Sequence, residues 1–157
     1  MNMNKTLKLV ISIALPVVVG ALSGFFTTTG VGSWYQTINK PSWNPPGWIF
    51  GPVWTTLYVL MGIALYQVWR SPGTKARNTA LLFFAVQLIL NFFWSFIFFN
   101  KQNIGGALME IIVLWVFILL TIFAFARINK LAAWLLVPYI SWVSFATILT
   151  YTIWKMN

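Results

Sequence analysis

The sequence predicts an all-α membrane protein, a bundle of five transmembrane helices with a long ordered loop between the first and the second. Of its 157 residues, 60% are hydrophobic and only 7% are charged, which is more apolar surface than a soluble domain of this size can bury. The apolar residues form five continuous runs of about 20 residues, each long enough to cross a hydrocarbon core of about 30 Å as a helix. Apolar and polar residues do not alternate within the runs, so a transmembrane β-barrel is excluded.

The five apolar runs are separated by connections of unequal length. The runs cover residues 7–28, 48–69, 79–99, 104–126 and 131–154. Three connections are short and polar, so we expect successive helices to lie antiparallel in one domain that includes residues 1–157. The remaining connection, residues 29–47, is long. The first run follows a basic N-terminus as in a signal peptide, but no small-residue cleavage site ends it, and we expect it to remain as the first helix.

The basic residues predict how the chain is oriented in the membrane. Ten Lys and Arg against one acidic residue give a net charge of +9. Seven of the ten lie at the N-terminus and in the second and fourth connections, whereas Lys40, Lys101 and Lys155 lie on the other side. Because basic residues stay on the cytoplasmic side, we expect the N-terminus inside, the C-terminus outside and the long loop outside. This distribution does not indicate nucleic-acid binding.

The long connection and the start of the second helix are rich in both aromatic residues and proline. Residues 34–58 contain four Trp, two Tyr and four Pro. The prolines prevent one continuous helix, and disordered segments are poor in aromatic residues. We therefore interpret residues 29–47 as an ordered lid. Phe50, Trp54 and Tyr58 come next at a spacing of four residues and should form one face of the second helix.

Two further lines of side chains lie within the helices. Gln87, Asn91 and Ser95 are spaced by four in the third run, and Trp142 lies on a similar line in the fifth. At 1.5 Å per residue, Asn91 is about 13 Å and Trp142 about 18 Å from the outer helix ends. We hypothesise that these faces meet beneath the loop. The amides of Gln87 and Asn91 either join helices or contact a ligand.

The residues that perform conventional catalysis are almost absent. The chain has no Cys and no His, and Glu110 is its one acidic residue. This composition excludes disulfides, zinc sites, Cys or His nucleophiles, the usual haem ligands and paired carboxylates. We therefore predict no metal site and no bound cofactor. Glu110 is expected to pair with Lys101 or Lys40, although an acid inside a membrane helix is also a candidate functional residue.

Proline and glycine predict two local features of the helices. Pro138 should bend the fifth helix, because it has no N–H group to donate. Gly20 and Gly24 have the spacing of a small-residue contact, which serves packing within one chain as readily as dimerisation.

Spaced, unusual residues along the whole chain resemble the signature of the TspO/MBR family. These proteins are also called translocator proteins, peripheral-type benzodiazepine receptors or tryptophan-rich sensory proteins. The matching residues are Trp34, Tyr35, Lys40 to Trp43, Pro45, Pro46, Gly51 to Trp54, Leu57, Tyr58, Met61, Gly62, Gln87, Asn91, Trp94, Ala107, Leu108, Glu110, Pro138, Tyr139, Trp142 and Phe145 to Thr147.

The resemblance implies a five-helix bundle that is often a homodimer and that binds porphyrins such as protoporphyrin IX, benzodiazepine-site drugs and, in some members, sterols or other lipids. Together with the amide of Gln87, it implies a ligand-binding pocket of Tyr35, Pro45, Phe50, Trp54, Tyr58, Gln87, Asn91, Trp94, Trp142, Ala146 and Leu149. Some bacterial members are reported to degrade porphyrin in light, and this implies a catalytic role for Trp54 and Trp142. Thr150 replaces the usual Asn of the mammalian proteins and the C-terminal tail is short, as expected of a bacterial member, for which we expect a location in the bacterial cytoplasmic membrane.

We therefore expect an integral membrane receptor or sensor for porphyrins and related planar ligands. Such ligands gain from stacking on indole and phenol rings, and Lys40 is a candidate partner for a porphyrin propionate. The alternatives are an enzyme that degrades porphyrin in light through Trp54 or Trp142, and a porphyrin or sterol transporter.

Overall fold

The protein folds as a bundle of five apolar helical spans, seen in a computed structural model that describes residues 3–157. Within these residues there is no β-strand. The predicted all-α fold with five membrane-spanning helices is confirmed, and the chain is an integral multi-pass membrane protein. The helices are α1 (Lys5–Phe26), α2 (Phe50–Trp69), α3 (Lys75–Ser95), α4 (Ile104–Ala126), α5 (Lys130–Leu135) and α6 (Val137–Met156).

Four helices begin at a polar residue whose side chain caps them. Asn4, Thr74, Asn103 and Asn129 each accept a hydrogen bond from a backbone N–H in the first turn of α1, α3, α4 and α5. Such caps satisfy one of the free N–H groups at a helix start. The cap at Thr74 explains why α3 begins at Lys75, four residues before the predicted start. Hydropathy alone does not count these polar residues as part of the span.

Glycine residues allow α1 and α2 to approach each other closely. A Cβ atom on Gly62 would collide with the backbone of Ile13, and one on Gly20 would collide with the ring of Tyr58. By contrast, a Cβ on Gly24 would meet nothing within 4 Å. Gly20 therefore serves packing within the chain, one of the two roles expected for its motif.

The fifth span is divided into two helices. α5 ends at Leu135, and α6 begins at Val137 with Pro138 in its first turn. Proline is well tolerated there, because the first N–H groups of a helix have no intrahelical partner. The bend predicted at Pro138 takes the form of this break between two helices. The break lets α5 pack against α2 and α4 while α6 packs along α4.

The end of α3 continues into a π-helical segment, Phe96–Asn100. A π-turn contains more residues than an α-turn. In this segment two adjacent residues, Phe98 and Phe99, are both buried. Hydropathy did not predict the π-helical turn, because its residues are as apolar as the α-helical residues before them.

The outer surface suits a lipid environment. Large apolar side chains such as Leu15, Leu22 and Phe123 are exposed along α1 and α4. Basic groups lie against aromatic rings near both ends of the bundle, for example Lys8 over Trp69 at 5.7 Å. Aromatic and basic side chains with apolar stems are typical of membrane interfaces.

Candidate functional site beneath the loop

The loop of residues 29–47 is ordered around Tyr35. This residue is only 4% exposed, and its ring packs on Phe98 and Phe99. Its hydroxyl donates to Asn44 Oδ1 at 2.9 Å. Burial raises the pKa of the Tyr35 phenol, and the hydrogen bond with Asn44 lowers it by less, so the phenol stays neutral at physiological pH. This hydrogen bond joins the parts of the loop that precede and follow Pro41.

Lys40 stabilises the loop from within. Its ammonium group donates to the carbonyl oxygens of Tyr35 at 2.6 Å and Ile38 at 3.0 Å, and it lies 4.8 Å from the Tyr35 ring centre. Lys40 does not line the cavity described below. The structure thus gives this ammonium a role in loop folding, in place of the expected position facing a ligand.

The loop is also tied to the C-terminus and to α6. The backbone N–H of Asn39 donates to Asn157 Oδ1 at 2.9 Å, and Asn157 Nδ2 donates back to Asn39 O at 2.9 Å. The ring of Trp43 lies 5.9 Å from that of Phe145 on α6, edge to face. These contacts hold the loop over the end of the bundle at which α6 ends.

A cavity of about 380 Å³ lies beneath the loop. Its walls come from α1, α2, α3, α4, α6 and the loop. Nine of the predicted site residues line it: Tyr35, Phe50, Trp54, Tyr58, Asn91, Trp94, Trp142, Ala146 and Leu149. From the rise per residue, the predicted faces of the second, third and fifth spans could only be placed at similar heights. The structure shows that these three faces line one cavity.

Two of the predicted site residues do not line this cavity. Gln87 is buried one turn below Asn91 and accepts a hydrogen bond from Tyr139. Pro45 lies in the loop, where its carbonyl oxygen accepts from the Asn44 amide at 3.2 Å. For Gln87, the structure favours the role of joining helices over contact with a ligand.

A chain of hydrogen bonds joins α2, α3 and α6 at the side of the cavity. The Tyr58 hydroxyl donates to Asn91 Oδ1. Asn91 Nδ2 donates to the Tyr139 hydroxyl at 2.8 Å, and this hydroxyl donates to Gln87 Oε1 at 2.7 Å. Each group is buried. The positions of the oxygen and nitrogen atoms in the Asn91 and Gln87 amides are assigned from these hydrogen bonds. The network fixes Asn91, the one side-chain amide within residues 3–157 that lines the cavity.

Aromatic rings form a large part of the cavity wall. The Trp54 indole stacks on Tyr58, with ring centres 5.6 Å apart and planes at 27°. Trp142 lies edge to face with Phe50 at 6.2 Å, and Trp94 is nearly parallel to Phe98 at 5.1 Å. The indole faces and edges offer stacking and edge contacts to a flat apolar molecule.

Two indole N–H groups in the wall have no partner. Trp94 Nε1 and Trp142 Nε1 are buried and make no hydrogen bond within residues 3–157. Leaving a buried donor unsatisfied costs about 1–3 kcal/mol. Both nitrogen atoms are enclosed by protein atoms and present almost no surface to the cavity. The cavity therefore offers a planar apolar molecule the faces and edges of its aromatic rings rather than these N–H groups.

Glu110 is not paired with a lysine, so that expectation was wrong. Both carboxyl oxygens are buried without a hydrogen-bond partner within residues 3–157. Lys40 is held by loop carbonyls, and Lys101 lies over the Phe96 ring at 5.4 Å. Opposite charge and similar height did not bring these groups together, because each lysine contacts groups nearer to it in the chain. Glu110 does not line the cavity.

The wall that α1 contributes was not predicted from the sequence. Small side chains dominate there, and they include Gly20, Ala21, Ser23, Gly24 and Thr27. The close spacing of small residues was the available signal, and it was interpreted only as helix packing.

Tyr139 was also missed as a member of the network, although it follows Pro138 in the family signature. Within residues 3–157 no cluster of three or more His, Cys, Asp or Glu is present.

The comparisons with known proteins agree with this architecture. A model of the TspO/MBR family matches residues 12–155. The chain is 46% identical to the tryptophan-rich protein TspO of Chlorobaculum tepidum over 157 residues, 99% of each chain. It is 42% identical to the tryptophan-rich protein TspO of Archaeoglobus fulgidus over 96% of this chain and 97% of that one. The human translocator protein is 40% identical over 79% of this chain and 75% of its own. The chain belongs to the TspO/MBR family.

Proposed function

We propose that this protein is a membrane receptor or sensor that binds porphyrins such as protoporphyrin IX, and related planar ligands including benzodiazepine-site drugs, in the cavity beneath the loop. The observation that carries this proposal is the wall of the cavity, where three tryptophan rings surround a space of about 380 Å³. The volume lies within the usual range for small-molecule sites. The names of the relatives, which include translocator protein and tryptophan-rich sensory protein, support a receptor or sensor role.

The chemistry of the wall matches that of a porphyrin. A conjugated macrocycle gains from stacking on indole and phenol rings, which Trp54, Tyr58 and Trp142 supply. In the cell we expect the protein to be a homodimer in a cytoplasmic membrane, with its N-terminus inside.

Titration of the purified protein with protoporphyrin IX in the dark tests the proposal. Replacing Trp142 by Phe should weaken binding about 2- to 10-fold, the range expected for loss of one aromatic contact of 0.5–1.5 kcal/mol. Trp134 lies on the same span but is 69% exposed and outside the cavity, so Trp134→Phe is the matched control and should bind like the wild type. Absence of binding by the wild type at micromolar concentrations would refute the proposal.

One observation favours light-dependent porphyrin degradation as a second candidate function. The Trp54 indole contacts two phenols, stacking on Tyr58 at 5.6 Å and meeting Tyr139 edge to face at 6.3 Å. A photoexcited porphyrin that takes one electron from this indole becomes a radical anion and leaves an indole radical cation. A neighbouring phenol can return one electron to the indole and pass its proton to the porphyrin radical anion, which gives a phenoxyl radical and a neutral porphyrin radical. Dioxygen would be the oxidant that adds to this porphyrin radical and opens the macrocycle.

Illumination of the complex separates binding from degradation. At saturating porphyrin in air, protein-dependent loss of porphyrin absorbance should stop in Trp54→Phe and Trp142→Phe, whereas bound porphyrin remains. Loss at the same rate in both variants, or without oxygen, would contradict the enzymatic role and leave the receptor role.

A further inference from the structure

The residues that line the cavity differ in how exposed they are. All those from α3, α4 and α6 are buried or half-buried. The exposed lining residues are Ala21 and Gly24 on α1, and Gly51 and Thr55 on α2. Each pair is one helical turn apart, so the cavity is open along one stretch of the α1–α2 pair.

Two close contacts bound this opening. Towards the middle of the bundle, Gly20 lies against the ring of Tyr58. Towards the loop, a Cβ on Gly47 would lie 2.7 Å from Thr29 Oγ1, so the two chain segments touch there as well. Between the two contacts, a Cβ on Gly24 or Gly51 would meet nothing within 4 Å. The helical stretch from Gly20 to Phe26 corresponds to a height of about 9 Å.

The rim of the opening is apolar towards the lipid. The Thr55 hydroxyl donates to its own helix at Gly51 O, at 2.8 Å. The Thr27 hydroxyl donates to Ser23 O at 3.1 Å and accepts from the Ser95 hydroxyl at 3.1 Å. Outside the rim, the exposed side chains of α1 include Leu22 at 55% and Phe25 at 85%. A molecule can therefore pass from the hydrocarbon core of the membrane into the cavity without crossing a polar barrier.

The loop end of the cavity is closed by comparison. Tyr35 is buried above it, Trp43 packs on α6, and Asn39 is hydrogen-bonded to the C-terminus. Passage through the loop would require breaking these contacts, whereas the α1–α2 opening is already present.

We propose that the gap between Gly24 and Gly51 is a lateral portal through which the ligand exchanges between the cavity and the hydrocarbon core. This inference rests on the proposed function, because it assigns the route to the same cavity. The ligand class that uses such a portal is a membrane-dissolved, flat molecule that enters edge-on, since the aperture is tall and is bordered by Gly, Ala and Thr. The small size of the residues at Gly24 and Gly51 sets the exchange rate.

The test fills the aperture and follows the kinetics of protoporphyrin IX. Wild type, Gly24→Leu, Gly51→Leu and the double variant are placed in liposomes, and association and dissociation rates are measured by stopped-flow fluorescence. Both rates should fall, the dissociation rate by about tenfold or more in the double variant, whereas a variant that only weakened the binding site would release the ligand faster. Gly30→Leu is the matched control, because Gly30 also has open space around it but does not line the cavity; its rates should equal those of the wild type.

A second arm closes the loop instead. The chain has no cysteine, so Asn39→Cys with Asn157→Cys allows a short bis-maleimide to link the loop to the C-terminus. The linked protein should exchange ligand as fast as the unlinked one. Slower exchange after linking, or unchanged rates in the Leu variants, would overturn the portal while equilibrium binding still supports the proposed function. Absence of equilibrium binding in the wild type would overturn both.

Discussion

Replacing Tyr139 by Phe removes one hydroxyl from the interior of the bundle. Tyr139 is 1% exposed, and its oxygen accepts from Asn91 and donates to Gln87. The ring is retained, so packing against Trp54 should not change. The change leaves Asn91 Nδ2 and Gln87 Oε1 without partners. Because Gln87 Nε2 already lacks one, both polar atoms of that side chain would then be buried and unsatisfied.

The number of bonds lost sets the size of the effect. A side-chain hydrogen bond between membrane helices contributes about 0.6 kcal/mol on average and about 1.7 kcal/mol at most. Loss of two such bonds predicts that the free energy of unfolding falls by about 1 kcal/mol, with an upper limit of about 3 kcal/mol. The matched control is Tyr151→Phe on the same helix, since Tyr151 is 48% exposed. Its substitution should change the free energy of unfolding by less than about 0.5 kcal/mol.

Equilibrium unfolding in mixed detergent micelles, followed by circular dichroism, measures these changes. A double-mutant cycle with Gln87→Leu isolates the bond between Tyr139 and Gln87. In the Gln87→Leu background, Tyr139→Phe should cost less than in the wild type, by about 0.6 kcal/mol. An equal cost in both backgrounds, or a loss no larger than that of Tyr151→Phe, would refute the network as a source of stability.

Three further predictions concern other parts of the bundle. Gly20→Ala should lower the free energy of unfolding by about 1–3 kcal/mol because the methyl group overpacks the α1–α2 contact, whereas Gly24→Ala, with open space around it, should raise it by about 0.5–1 kcal/mol in the same micelle assay; equal effects would contradict the packing. Burial raises the pKa of Tyr35 from its ordinary value of 10.0, so its neutral form stabilises the folded loop fully below pH 10, and this contribution falls as the pH rises through the raised pKa. Cleavage of residues 29–47 by an alkaline-active protease should therefore accelerate above pH 10 in the wild type and less in Tyr35→Phe, and equal profiles would exclude this phenol as the cause. Trp115→Phe removes the 2.8 Å bond to Ser144 and should cost about 0.6 kcal/mol of unfolding free energy, with Ser144→Ala adding nothing further; additive losses would show that the bond is not formed.

The transmembrane part of the fold was predictable from the sequence because lipid imposes a simple rule. A span has to be apolar and about 20 residues long, and each of the five runs satisfies this. The common face of Phe50, Trp54 and Tyr58 was predicted from helical periodicity, and the cavity lining agrees with it. The helix starts were less predictable, because caps such as Thr74 draw polar residues into a helix that hydropathy begins later.

Other parts of the site depend on contacts that no local pattern encodes. The α1 wall consists of small residues, and their spacing shows only that something approaches closely, here the ring of Tyr58 at Gly20. Glu110 was expected to form an ion pair with Lys40 or Lys101, but each of these lysines contacts groups nearer to it in the chain. Tyr139 joins residues 48 and 52 positions away, and periodicity along one helix cannot reveal such a pairing.

The π-helical turn at Phe96–Asn100 makes the shape of the cavity depend on the number of residues as well as on their identity. It lets the neighbours Phe98 and Phe99 both face inward, and both line the cavity. Deleting one residue from this turn would restore a regular helix and rotate the chain beyond it by about 100°. The deletion would be disruptive even if it removed only the exposed Asn100. In this segment chain length is therefore under a stricter constraint than side-chain chemistry, and family members should vary by substitution here more readily than by insertion or deletion.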